Sequence, residues 1–472
     1  MCAQWLTAPA NPARAPGGIC STMNTHFSAH RPATDRNKSY GRVRGDSHNP
    51  QRVARRIYGN SMNYQTGVGI DITRKEGRSF FRSRHQQRRR DYSIIVHSHL
   101  DWDWVWQRPQ QFLSRLSKRH RVLFVEAPRP IAEISSASVC VRDVADYPNI
   151  LVVQNKIPAT RWSDGAWVDQ ERRRLLQTLL AEPVGRNFAS PVQWFYDPMA
   201  VSAFAGQMNE AAIVYDCMDQ LSQFHFAPPE LAKRERELLA VADVVFAGGP
   251  KIWREKRRFN SNCFSFGCGV EVAHFRAARA ADTVIPSGVR SLPHPIYGYI
   301  GVVDERLDYK LIGQLAESNP KGSVVMIGPQ SKVDPRMLPR RNNLHWLGPR
   351  DYSVLPAYAK SFDVCLMPFA MNEATQYINP TKALEYMATG TPIVSTAVED
   401  VVLQFSQIIV ITETSADFVS ECSRVAREPN PAALWRGLEL ARKNSWETVV
   451  RQLERHVENA INRRSSVEIS AA

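Results

Sequence analysis

The sequence predicts an α/β protein with two domains in tandem. Apolar runs at residues 93–96 and 122–125 flank a helix-like segment, and a strand–helix–strand unit of this length indicates a parallel sheet. Strand-like and helix-like segments alternate up to residue 246, and a second series of the same kind begins at residue 297. Residues 276–296, between the two series, hold three prolines and no apolar period, which predicts a linker.

The first domain is predicted to span residues 91–280. After its first strand, Pro109 can occupy the first turn of a helix, where its missing N–H costs nothing. Phe112, Leu113 and Leu116 then share one face of that helix. Further strands are predicted at residues 122–125, 192–196, 212–215 and 243–246, with a charged helix at 229–241.

The second domain is predicted to span residues 290–445. Its strands are predicted at residues 297–303, 323–327, 363–367 and 392–395, with helical segments between them. A last amphipathic stretch follows at residues 446–463. Its apolar stripe is formed by Val449, Val450, Leu453, Val457 and Ile461.

Most of the net charge of +14 lies in the first 90 of the 472 residues, which hold 17 Lys and Arg but four Asp and Glu. This segment has no sustained apolar period, so it is predicted to be disordered, because it cannot bury enough surface to offset its ordering entropy. It is either an electrostatic tether to anionic lipid or nucleic acid or a solvated tail, and Met23 and Met62 offer alternative starts. The nearly neutral remainder argues against a nucleic-acid clamp, so no specific nucleic-acid partner is expected.

Cysteine usage and hydropathy favour a cytoplasmic protein. The eight cysteines form no CxxC pair and are too sparse for a disulfide framework. The N-terminus has no basic stretch followed by an apolar core, and no apolar run approaches 18 residues. We therefore expect no signal peptide and no spanning helix, with peripheral contact at the inner face of an anionic membrane as an option.

Residues 379–390 predict a helix whose start can receive an anion. Asn379 or Thr381 can cap it, Pro380 lies in its first turn, and Gly390 supplies a left-handed exit after about Thr389. The unpaired N–H groups and positive dipole end of a helix start suit a phosphate group.

Two charged side chains of this helix also suit a bound ligand. Lys382 stands at the helix start, where its charge opposes the dipole, which is a weak sign that an anion is expected there. Glu385 follows one turn later, where it can accept hydrogen bonds from ribose hydroxyls.

The segment 377–394 resembles the donor-binding helix of retaining GT-B glycosyltransferases, and more closely the bacterial group 1 branch that contains teichuronic-acid-type enzymes. Other matching segments follow in the family's order, at residues 106–111, 215–219, 242–246, 267–271 and 301–308. The resemblance covers residues 92–463 and leaves the tail outside.

The resemblance implies a GT-B fold, in which two Rossmann-like domains face an interdomain cleft and the last helix crosses back to the first domain. The second domain would bind a UDP-sugar or GDP-sugar, and the first domain a glycan or lipid-linked glycan acceptor. It implies sugar transfer to an acceptor hydroxyl with retained configuration, in bacterial cell-surface or exopolysaccharide synthesis. No metal or other cofactor is expected.

The resemblance also assigns site residues by position. Lys382 and Arg306 would stabilise the departing diphosphate, and Glu385 would bind the ribose. The donor-binding set is Glu385, Asn379, Pro380, Thr381, Tyr377, Gly301, Gly328, Gly348 and Arg350. The chain departs from the family twice, because Tyr377 replaces a frequent glutamate and Val302 replaces a frequent arginine.

In the first domain, Asp216 and Asp219 follow a strand and either orient the acceptor or sugar or serve turn and cap chemistry. Arg108 would bind an acceptor phosphate, or it is a solvated or sheet-packing side chain. Trp106, with the alternating Trp102 and Trp104, forms either an aromatic platform for the acceptor or core packing around a turn.

His97 and His99 stand at the end of the first strand. One of them meets substrate in the cleft, with His97 as the catalytic candidate, or they are satisfied strand-end histidines. Their spacing also resembles a metal motif, which leaves a metal-dependent hydrolase as an alternative. Two further alternatives are a noncatalytic nucleotide-sugar-binding protein and a GT-B epimerase.

Overall fold

The computed structural model describes residues 70–72, 92–104, 106–223, 227–331, 333–372, 375 and 381–471, with side chains of residues 92–466. The strands of its first domain are Ile70–Ile72 (β1), Ile94–His97 (β2), Val122–Val125 (β3), Arg129–Ile131 (β4), Ser138–Asp143 (β5), Ile150–Pro158 (β6), Val192–Phe195 (β7), Ala212–Cys217 (β8), Val244–Ala247 (β9) and Cys263–Ser265 (β10). Its helices are Arg108–Leu116 (α1), Gly165–Ala181 (α2), Val201–Phe204 (α3), Leu231–Val241 (α4) and Pro250–Lys256 (α5).

Two short helices, Val272–Arg276 (α6) and Ser287–Arg290 (α7), lie in and beside the predicted linker. The second domain then has strands Ile296–Ile300 (β11), Ser323–Ile327 (β12), Leu344–Gly348 (β13), Val364–Met367 (β14), Ile393–Thr396 (β15) and Val410–Thr412 (β16). Its helices are Tyr309–Ser318 (α8), Leu355–Ala359 (α9), Thr381–Thr389 (α10), Glu399–Phe405 (α11), Ser415–Arg427 (α12) and Pro431–Lys443 (α13), and the chain continues as Trp446–Ala471 (α14).

Both domains have Rossmann-like sheets. The strand order of the second domain is β13-β12-β11-β14-β15-β16, and every neighbouring pair is parallel. The first domain repeats this order as β6-β3-β2-β7-β8-β9, extended by β10 on one edge and by the antiparallel β5 on the other. The predicted pair of parallel α/β domains is therefore confirmed. The strand order reverses beside β2 in the first domain and beside β11 in the second.

One strand lies within the segment predicted to be disordered. Residues 70–72 form β1, which pairs in parallel with β5 so that Ile70 lies opposite Val139. An alternating Ile-Asp-Ile run suits a short edge strand, but three residues are too few to show a period. The disorder prediction is wrong for these residues, and the rest of residues 1–91 lies outside the described part of the chain.

The last helix packs against the first domain, although it follows the second domain in sequence. Leu453 and Val457 of α14 are fully buried in a core that contains Phe112 of α1. The ring of Trp446 contacts Phe112 edge to face at 5.6 Å. The predicted crossing-back helix is confirmed, so the first domain is assembled from both ends of the folded chain.

Two chain segments cross between the domains side by side. The backbone N–H of Val270 donates to the carbonyl of Asn444 at 3.0 Å, and Val270 forms a parallel bridge with Ser445. Gly269 permits this approach, because a Cβ atom there would lie 2.8 Å from the Trp446 ring.

A second interdomain contact joins α5 to α11. Glu399 of α11 pairs with Arg254 and, at 3.4 Å, with Lys251. The buried Asp400 carboxylate accepts a hydrogen bond from the backbone of Lys251, in the first turn of α5. One domain therefore supplies the anionic cap for the helix start of the other.

Candidate active site

The strand order of the second domain reverses beside β11, so the crevice at the carboxyl ends of β11 and β14 is the expected ligand position. Three predicted glycines surround this edge: Gly301 follows β11, Gly328 follows β12, and Gly348 ends β13. Their φ angles are 157°, 151° and 68°, and residues other than glycine rarely adopt such backbone angles. The structure thus brings the three glycines to one edge.

The two inner glycines are also required by close approach. A Cβ atom on Gly328 would lie 1.7 Å from the carbonyl oxygen of Gly301. A Cβ atom on Gly301 would lie 1.9 Å from Cε of Lys382 and 2.5 Å from its Nζ. The Lys382 ammonium therefore lies directly over the bare backbone that follows β11.

Lys382 occupies the first turn of α10, directly after Thr381, as the helix prediction required. Its Nζ lies 5.6 Å from the centre of the Tyr299 ring. Burial and the nearby charge of Arg306 lower the pKa of Lys382, whereas Glu385 and Asp304 oppose this change. Two cations thus stand together at the helix start, an arrangement that an anionic ligand would relieve.

Glu385 lies one helical turn after Lys382 and shares the same surroundings. Burial raises the pKa of Glu385 to about 7, and the charge of Lys382 acts in the opposite direction. The neighbouring Tyr386 fixes the helix to the sheet, since its hydroxyl accepts a hydrogen bond from the N–H of Ile300 at 2.8 Å. The predicted exit of the helix is confirmed, because Gly390 has a φ of 76°.

Asp304 holds Arg306 at the same edge by a bidentate salt bridge. Its carboxylate accepts hydrogen bonds from Nε of Arg306 at 2.9 Å and from Nη2 at 2.6 Å. Sequence reasoning missed Asp304, Tyr299 and Tyr386. The signal that could have shown Asp304 is an acidic residue two positions before a candidate phosphate-binding arginine.

The first domain faces this cluster with Asp219. Burial raises the pKa of the Asp219 carboxyl, and the charges of His99 and Arg306 oppose this effect. Arg306 belongs to the second domain, so the carboxyl edges of the two sheets face one another across the cleft. Asp219 is consequently the predicted carboxylate that lies near Arg306 of the second domain.

Asp216 and Arg108 lie instead in the core of the first domain. Their side chains are 0% and 1% exposed and pair at 2.9 Å. Arg108 also donates to the carbonyl of Phe266 at 2.6 Å and lies over the Phe112 ring. The assignments of Asp216 to catalysis and of Arg108 to an acceptor phosphate are therefore corrected: neither side chain reaches the cleft, and the sheet-packing alternative for Arg108 holds.

His97 is likewise a core residue. It is 1% exposed, stacks on Phe204 with ring centres 4.2 Å apart, and its Nε2 hydrogen-bonds Gln193. Burial lowers the pKa of His97 to about 3. The catalytic assignment of His97 is wrong, because its side chain points into the sheet's helical layer and not into the cleft.

His99 and the tryptophans of this loop lie partly in the core and partly at the surface. Nδ1 of His99 lies 3.0 Å from the carbonyl oxygen of Tyr196. Burial lowers the pKa of His99, and the charges of Asp197 and Asp219 oppose this effect. Trp102 is buried in the core, as the packing alternative predicted, whereas Trp106 is 42% exposed and stacks on Tyr147. Only part of the predicted aromatic platform is thus accessible.

Four residues of the predicted donor-binding set remain to be placed: Arg350, Tyr377, Asn379 and Pro380. The exposed Arg350 donates to the hydroxyl of Tyr358 at 2.9 Å, close to the end of β13. Tyr377, Asn379 and Pro380 lie outside the described residues.

Within the described ranges, no three His, Cys, Asp or Glu side chains are grouped so that they could hold a metal ion. The hydrolase alternative, which needs ligands beyond His97 and His99, has no such cluster in that part of the chain. Among the helices of the described residues, none has the length and apolar character needed to cross a bilayer.

Comparison with known proteins agrees with this geometry. Residues 308–428 match the family model of glycosyl transferases group 1, which covers the strands and helices around α10. TuaH of Bacillus subtilis (strain 168), assigned as a teichuronic acid biosynthesis glycosyltransferase, is 24% identical over 375 residues. The match covers 74% of this chain and 91% of that relative.

Solved structures with the same fold include sucrose-phosphate synthase from Thermosynechococcus elongatus, with a TM-score of 0.56, 15% identity, and coverage of 79% of this chain and 100% of the other. Anabaena HepE in complex with UDP has a TM-score of 0.54 and 12% identity, and the match covers 78% of this chain and 100% of HepE. These similarities establish the GT-B fold, with two Rossmann-like domains.

Proposed function

We propose that the protein transfers a sugar from a nucleotide-diphosphate sugar to an acceptor hydroxyl, which is supported by its GT-B fold and by the match of residues 308–428 to the family model of glycosyl transferases group 1. The observation that carries the proposal is the position of the Lys382 ammonium over the bare backbone of Gly301, at the start of α10. A diphosphate bound there would meet the helix start, Lys382 and Arg306.

The same residues account for catalysis. As the bond between sugar and diphosphate loosens, negative charge grows on the leaving group, and Lys382 and Arg306 stabilise that charge more in the transition state than in the ground state. Asp304 holds the Arg306 guanidinium in place for this role. Asp219, on the opposite wall, is positioned to orient the incoming hydroxyl.

The proposal also specifies the donor, the stereochemistry of transfer, the acceptor and the cellular location. The donor is a UDP-sugar or GDP-sugar, transfer retains the anomeric configuration, and no metal ion is needed because the cations are side chains. The acceptor is a glycan or lipid-linked glycan in polysaccharide synthesis at a bacterial cell surface, which is supported by the similarity to TuaH. The protein acts in the cytoplasm, with peripheral contact at the inner membrane face.

A thermal-shift screen of UDP-, GDP- and dTDP-sugars tests the donor site. A nucleotide sugar at about 100 times its Kd is expected to stabilise the folded chain by about 2.7 kcal/mol. Transfer is then measured with and without a glycan acceptor. Turnover of the nucleotide sugar without acceptor would indicate an epimerase, binding without any turnover would indicate a sensor, and no response to any nucleotide would contradict the donor site.

Donor binding is expected to depend on pH through Glu385. The pKa of Glu385 is raised to about 7, and its ionised carboxylate is the better acceptor for ribose hydroxyls. The affinity for a nucleotide sugar should therefore rise from about pH 6 to about pH 8, as titration calorimetry would show. Glu385→Gln should bind more weakly and without this dependence, and the exposed Glu317→Gln should behave as wild type.

Stability gives an independent check on Glu385. Because its folded pKa lies above the ordinary value of 4.5, the ligand-free protein should lose stability as pH rises from about 4.5 through 7. Glu385→Gln should remove this contribution from the unfolding curve. Equal pH dependence of wild type and Glu385→Gln in both measurements would contradict the assignment.

A further inference from the structure

A cavity of about 450 Å³ lies behind the donor site, at the opposite end of α10. Ala388, in the last turn of α10, lines it, whereas Lys382 stands in the first turn, about 9 Å away along the helix axis. The other walls come from α6, from α13 and from the two crossing segments at Glu271 and Ser445. The residues that line this cavity do not include Lys382, Glu385, Arg306 or Gly301.

Three arginines surround this cavity: Arg276 at the end of α6, Arg279 in the following turn, and Arg442 in α13. Burial and the charges of Arg442 and Arg276 lower the pKa of Arg279. The three exposed guanidinium groups line one cavity and are close enough to repel one another, and an anion bound between them would offset this solvent-screened repulsion.

The carboxylates at the cavity wall are already engaged. Glu271 and Glu447 both pair with Arg115 of α1, and Arg442 pairs with Glu439 of its own helix. Over the described ranges, Arg276 and Arg279 have no carboxylate within ion-pair distance. Two guanidinium groups at the cavity wall therefore remain available to an anion.

We propose that this cavity binds the phosphate group of a small phosphorylated ligand. Guanidinium groups match phosphate through paired, charge-assisted hydrogen bonds. A cavity of about 450 Å³ is of the size that holds a small molecule, and Val272 and Leu438 offer apolar contact to its uncharged part. This site does not depend on the donor-site assignment, because no donor-site residue lines it.

Titration calorimetry with inorganic pyrophosphate tests the proposal on the full chain carrying Lys382→Ala, which removes one cation of the proposed donor site and so weakens pyrophosphate binding there. Pyrophosphate is expected to bind this variant. The added changes Arg276→Gln, Arg279→Gln and Arg442→Gln should weaken binding at least about tenfold, since each guanidinium supplies a charge-assisted contact. The matched control carries Arg236→Gln, Arg258→Gln and Arg340→Gln, three exposed arginines away from the cavity, and should bind as tightly as the Lys382→Ala variant.

Circular dichroism and an unfolding midpoint establish that each variant is folded, and Arg276→Gln alone replaces the triple change if that variant fails to fold. Equal affinity of the cavity variants and the control, or no pyrophosphate binding to the Lys382→Ala variant, would overturn the proposal. Vesicles containing anionic phosphatidylglycerol form a second arm. If the cavity arginines govern vesicle binding and not pyrophosphate binding, the cluster is a membrane surface and the small-ligand site is rejected.

Discussion

Replacing Lys382 with alanine is expected to lower kcat/KM for sugar transfer by about 10²–10³-fold, the effect of removing one preorganised group that stabilises transition-state charge. The greater part of the loss should fall on kcat, because the charge on the diphosphate grows as the sugar leaves. Steady-state kinetics with saturating acceptor would measure it.

The folded state should not suffer from this change. Burial and Arg306 already lower the pKa of Lys382, so removing its charge relieves a cost to folding. Lys310→Ala, at an exposed lysine of α8, is the matched control and should retain full activity. A folded Lys382→Ala enzyme with wild-type kcat would refute the role assigned to this lysine.

Asp216→Ala is expected to reduce the free energy of unfolding by about 3–5 kcal/mol, because it leaves Arg108 buried without its counter-charge. Urea-induced unfolding would measure the loss. Replacing both partners, as Arg108→Met with Asp216→Leu, should recover part of the stability, since it leaves no uncompensated charge in the core.

The neighbouring Asp219 provides a matched comparison three residues away. Asp219→Ala should change the stability by less than about 1 kcal/mol, because this half-buried carboxylate forms no ion pair among the described residues and burial already raises its pKa. It should instead impair transfer. An Asp216→Ala protein of normal stability and reduced activity would show that the two carboxylates have the opposite roles.

Local patterns sufficed to predict the fold and the helix that carries Lys382 and Glu385. Parallel strands buried on both faces appear as short apolar runs, and the helix at Thr381–Thr389 carries its own start and exit signals. The spacing of Lys382 and Glu385 places both on the same side of that helix. The position of Gly301 opposite them required only the Rossmann strand order and the family resemblance.

The positions of the candidate side chains in the first domain could not be predicted in the same way, because they depend on contacts between distant residues. Asp216 is the penultimate residue of β8 and Asp219 follows the strand. Local sequence does not show that Arg108, on a helix of another βαβ unit, pairs with Asp216. His97 ends a strand like a site residue, but Phe204 covers it from a different element. Such burial becomes visible only when the layers are assembled.

The helix α14 makes the first domain discontinuous in sequence. Its buried residues, Leu453 and Val457 among them, are synthesised after the entire second domain, so the amino-terminal domain cannot complete its core while the nascent chain is still growing. The core of the second domain ends at Ala441 and can form before α14 is made, so the first domain is the one that must wait until near the end of translation. A carboxyl-terminal deletion would therefore damage the half of the molecule that was made first.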